Sequence, residues 1–231
     1  MPPAPPHQTM PQKASLRGVS HNFAAVAAAA AGLLLFLDAP TPRAKIGTAI
    51  YAITLTAMFS ISAAYHRPTW SPSARGIMRK LDHAGIYGII AGTYTPLCLL
   101  ALDKGLGDRL LLQVWTGATV GILQSVFSKS GAGSKVISAI LYIALGWIVL
   151  PYSHQLELAL GGTSTALLVA GGIIYSVGAV IYAARWPDPA PSTFGYHELF
   201  HAAVILAAVL HFGAVRHIVH AARETAQCPS S

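Results

Sequence analysis

Residues 19–37 read VSHNFAAVAAAAAGLLLFL, a run without a single Asp, Glu, Lys or Arg. As an α-helix rising 1.5 Å per residue it spans roughly 28 Å, close to the depth of a bilayer's hydrocarbon core. Six more runs of the same kind follow, at about 44–66, 82–102, 109–128, 135–152, 161–184 and 196–217. Turn or charge signals punctuate them: Asp38-Ala-Pro-Thr-Pro42, Arg67-Pro68, Asp103-Lys104-Gly105, Ser130-Gly-Ala-Gly133 and Trp186-Pro-Asp-Pro189. The expected fold is therefore an all-α membrane protein, a seven-helix transmembrane bundle over residues 19–217. A disordered Pro-rich N-terminal tail (1–18) and a polar C-terminal tail (218–231) flank it.

Composition agrees. Of 231 residues 54% are apolar and only 10% charged, against about 25% charged in a soluble domain. The chain lacks the polar residues to cover a water-facing surface. Its net charge of +7 does not point to nucleic acid, because the basic residues lie in short clusters between apolar runs, where topology signals lie. The two cysteines are far apart and form neither a disulfide framework nor a thiolate site. A cleaved signal peptide is the competing reading of the N-terminus, but no small-x-small site closes the run to Leu37; an uncleaved first helix is expected. The loop after the second run holds Arg67, Arg75, Arg79 and Lys80, the densest basic cluster. By the positive-inside rule this predicts the N-terminus inside and the C-terminus outside.

Ionisable side chains inside spans are costly and usually functional. The second span ends Ser62-Ala-Ala-Tyr-His66, the third begins Leu81-Asp82-His83, and the seventh begins Tyr196-His197-Glu198-Leu199-Phe200-His201. Span parity brings all three sets to the same membrane face, whichever face is inside. His197 and His201, four apart, share one side of a helix, a spacing at which two imidazoles bind one ion. His66 is the natural third ligand, leaving an open position. Ser62 lies one turn before it. Asp82 is placed to orient a ligand or to accept a proton, or else simply to cap its helix. Each piece alone is weak; together they predict a metal site, with zinc favoured by imidazole ligands and an open tetrahedral position, and iron or another imidazole-binding metal the alternative. His211 is too far along its helix to join and is expected to hydrogen-bond within the bundle. His83 points elsewhere, Glu198 lies off the ligand face, and His7, His21 and His154 carry no argument.

These motifs, with Ala91-Gly92-Thr93-Tyr94-Thr95-Pro96 and Leu210-His211-Phe212, resemble the haemolysin III family, bacterial relatives of the adiponectin and progestin receptors in a superfamily that includes alkaline ceramidases. The resemblance runs from about residue 15 to 217. It implies seven helices with the N-terminus inside and a Zn2+ ion held by His66, His197 and His201. Ser62 and Asp82 match the family's remaining site positions. It further implies hydrolysis of a lipid amide or ester drawn from the membrane, with Asp82 as general base and Ser62 aiding the oxyanion, in an integral protein of a bacterial inner membrane. Two rivals stay open: a haemolysin-type pore, for which the few polar residues on the fourth span (Gln113, Thr116, Thr119, Gln124) offer little lining, and a receptor-like protein with structural zinc. Oligomeric state is open as well.

Overall fold

The computed structural model describes residues 14–127 and 132–227. Within them seven α-helices carry the chain: α1 Val19–Asp38, α2 Pro42–His66, α3 Pro72–Leu100, α4 Lys104–Phe127, α5 Ala132–Gly146, α6 Ser153–Ala184 and α7 Tyr196–Gln227. A 3-10 turn, Leu150–Tyr152, joins α5 to α6, and no β-strand occurs among the described residues.

Helix starts follow local chemistry. Thr41 caps α2 by accepting the Ala44 N–H at 3.1 Å, and Ser71 caps α3 through the Ala74 N–H at 3.4 Å, each followed by proline at the first helical position. Asp188 Oδ1 accepts the Tyr196 N–H at 2.9 Å and Glu198 Oε2 the Gly195 N–H at 2.8 Å, fixing the start of α7. Pro96 stays within α3 rather than ending it, and Pro151 falls in the 3-10 turn after α5. Several boundaries differ from the sequence expectation, three of them most. Helix α3 begins near residue 72, because its charged first turns (Arg75, Arg79, Lys80) are polar yet good helix formers. Helix α7 runs on to Gln227. Helix α6 starts at Ser153 and breaks at Gly161, whose φ of 72° is open to glycine.

Consecutive helices α1 to α4 pack side by side, α6 packs along α7, and α7 closes the bundle against α1 and α3. One apolar core joins α1, α2 and α7 around Tyr51, Phe59 and Val215; the other joins α3 and α4 around Tyr87, Leu110 and Val114. Close approach uses small residues. A Cβ on Gly92 would run into the Thr54 side chain of α2, and one on Gly121 into the Tyr87 ring, whereas Gly88 faces nothing within 4 Å.

The outside is apolar: Phe23 is 71% exposed, Leu112 70% and Leu158 74%. Thr48, Ser62, His66, Thr95, His197, Glu198 and His201 are buried. This inversion of a soluble protein is what a lipid solvent selects, since apolar side chains lose nothing by facing it. Five stretches are long and apolar enough to cross a membrane, one of them (Val136–Ala184) holding both α5 and α6. Helix α3 is absent from these five, since Gly, Tyr, Thr and Pro dilute the apolar residues even of its uncharged second half.

Candidate metal centre

At one end of the bundle, the last turn of α2 meets the first two turns of α7. His66 Nε2 lies 3.2 Å from His197 Nε2. The ring centroids of His66, His197 and His201 are 4.6 to 5.0 Å apart. All three side chains are buried, and one nitrogen from each falls within 4.8 Å of the others. Nδ1 of His201 is buried without a partner.

The donor set fits a metal ion. Two nitrogens on one tetrahedral zinc, each about 2.0–2.1 Å from it, stand roughly 3.3 Å apart, which matches the His66–His197 spacing. A direct imidazole hydrogen bond would explain that one distance. It would not explain a third buried imidazole converging on the same point. The three histidines can hold a metal ion. Imidazole donors suit zinc and several other transition metals.

Asp82, near the middle of α3, sits beside them, with Oδ2 3.8 Å from His66 Nε2. The Ser62 hydroxyl, one turn before His66, lies close enough to act on the Asp82 carboxylate. Asp82 is therefore no helix cap, since α3 starts ten residues earlier, at Pro72. All five residues line one cavity of about 500 Å³. Arg17, Arg75 and Arg79 also line it. A second, apolar cavity of about 100 Å³ shares the Met58, Ile86, Tyr142 and Phe200 walls and extends between α3, α5, α6 and α7 as far as His211.

The remaining histidines sort as geometry dictates. His211 bonds the Leu168 carbonyl at 3.1 Å, inside the bundle as expected. His83 lines the cavity 3.5 Å from the Tyr182 hydroxyl and stays outside the three-histidine cluster. Glu198 is buried, bonded to Gly195 N–H and ion-paired with Arg17.

His21 overturns the sequence reading. It lies within α1, is 2% exposed, and stacks on the His201 ring with centroids 3.8 Å apart and planes 10° off parallel. The signal that finds it is the one that found the others: an ionisable residue inside an apolar run, at the end of its span that parity puts on the same face. The residues before it are also ordered around the site. Ser15 and Leu16 N–H groups bond the Ser192 and Thr193 carbonyls, and Gly18 backs onto the His66 Cβ.

Comparison with known proteins adds the following. The profile of a family described as Haemolysin-III related matches residues 10–212. The chain is 32% identical over 167 residues to Hemolysin-3 of Bacillus cereus, covering 71% of this chain and 75% of that one. It is 25% identical over 202 residues to the human Monocyte to macrophage differentiation factor, covering 85% and 80%. It is 31% identical over 158 residues to Heptahelical transmembrane protein 5 of Arabidopsis thaliana, covering 60% and 40%.

Proposed function

The chain belongs to the haemolysin-III-related family, and from that premise we propose that it is a zinc-dependent hydrolase of lipid amide or ester bonds within the membrane. One observation carries this: three buried imidazoles converge beside the buried Ser62 and half-buried Asp82, on a cavity that holds charged side chains and adjoins an apolar one. The reading includes seven spans, counting α3 and separating α5 from α6, with the N-terminus and the Arg75–Lys80 cluster inside a bacterial cytoplasmic membrane. The printed name of the heptahelical plant relative supports that count.

His66, His197 and His201 would hold the ion. Zinc, when bound, supplies a Lewis acid that polarises a carbonyl and makes water more acidic. Asp82 takes a proton at Oδ2 as general base, oriented by the Ser62 hydroxyl, and returns it to the leaving group. Once Asp82 holds the proton, its carboxyl no longer needs the Ser62 O–H, which is then the nearby neutral donor for developing oxyanion charge. The apolar cavity, at about 100 Å³, has room for the first few methylenes of an acyl chain, so the scissile bond reaches the polar end while the rest of the chain stays in the bilayer. Its apolar lining also counts against the pore reading, because a conducting path needs polar lining along its length.

Two measurements test this on detergent-purified protein: elemental analysis, and hydrolysis of ceramide and acyl-ester lipids in proteoliposomes, read by mass spectrometry. About one zinc per chain, lost in His66→Ala and His201→Ala, with turnover abolished in Asp82→Asn, is expected. Full zinc occupancy with no cleavage of any acyl-amide or ester lipid refutes the hydrolase.

A further inference from the structure

His21 has no place in the chemistry above, yet it is among the most deeply buried polar residues. Neither of its ring nitrogens has a well-formed hydrogen bond, although the main chain of His201 lies close to one of them. An imidazole buried in this way is costly unless something compensates. What it does make is ring contact. Its face covers the His201 ring at 3.8 Å, and its edge meets Phe59 at 5.0 Å in a T-shaped pair. It lies outside the three-histidine cluster, so it is not a fourth ligand in this arrangement.

We infer that His21 is a positioning residue of the metal centre, holding the His201 ring in its ligating plane by stacking. The physical need is specific. A metal-bound imidazole usually has its second nitrogen fixed by an acceptor, which sets the ring's rotation; with Nε2 of His201 as the ligating atom, its Nδ1 has none. A flat ring pressed on its face supplies the missing restraint, and the pairing strengthens when His201 is bound to a cation and becomes electron-poor. Helix α1 thereby becomes the third wall of a site whose ligands all come from α2 and α7. The seating of its N-terminus supports this: Arg17 pairs with Glu198, next to His197, and Gly18 abuts His66.

The inference rests on the metal reading, and the experiment separates the two. Zinc affinity is measured by competition with a chromophoric chelator on full-length wild type, His21→Ala and His21→Phe, alongside the visible spectrum of each cobalt-substituted protein. Thermal midpoints in excess chelator report whether each metal-free variant folds. The expected result is zinc binding about 10–100-fold weaker in His21→Ala, the usual effect of removing a residue that orients a ligand. The cobalt bands should shift in His21→Ala, and His21→Phe, which keeps a ring face, should recover most of both. Wild-type affinity and spectrum in His21→Ala overturn the inference while leaving the metal centre standing. So does a His21→Phe variant that is as stable as wild type without metal yet binds as weakly as His21→Ala. Wild type that takes up no zinc overturns both readings together.

Discussion

Gly18→Ala is a small change at the seam between the N-terminal segment and the metal centre. Gly18 caps α1 with φ 77° and ψ 0°, a left-handed conformation that an L-residue adopts at about 1–2 kcal/mol. The added Cβ would also stand 2.6 Å from the His66 Cβ, where ordinary carbon contacts are about 3.5–4.0 Å. Something must move by roughly 1 Å, and overpacking of that kind costs about 1–3 kcal/mol. The two terms together give about 2–5 kcal/mol, with His66 displaced from its neighbours. The assay is a thermal melt in detergent, with and without zinc, paired with zinc competition; Gly88→Ala serves as control, because a Cβ there meets nothing within 4 Å. Gly18→Ala should melt several degrees lower and bind zinc more weakly, while Gly88→Ala should match or exceed wild type by up to about 1 kcal/mol. A Gly18→Ala protein equal to wild type in both would show that the N-terminal segment does not seat against His66, and would refute this account of the seam.

Other expectations follow from single contacts. Arg17→Ala leaves the 4%-exposed Glu198 without its cation, so it should destabilise by about 2–4 kcal/mol, somewhat less than a fully buried pair because Arg17 is partly solvated; Glu198→Gln in the same chain should restore part of the loss in a melt. Gly92→Ala pushes into Thr54 and should cost about 1–3 kcal/mol by separating α2 from α3, with Thr54→Ala restoring much of it in the double mutant. Stripping metal from wild type with a chelator should lower the melting temperature, and zinc should raise it again in a concentration-dependent way, as for any ligand of the folded state alone. The same treatment should leave His197→Ala unmoved.

The composition and the run lengths determined the class and the helical architecture, because the bilayer's thickness and its lack of hydrogen-bonding partners admit few alternatives. The spacing of His197 and His201, and the parity that carries His66 and Asp82 to the same end, made the histidine cluster legible before any coordinates. That inference needs only helix geometry and a count of crossings. Tertiary structure decided what depends on contacts between helices far apart in sequence. It made Asp82 a mid-helix residue beside Ser62, since the charged turns from Pro72 fold as helix. It gave Glu198 a cation 181 positions away. It also set the His21 ring on His201, because α1 packs between α2 and α7, and the sequence of α1 alone does not reveal which way its inner turn faces.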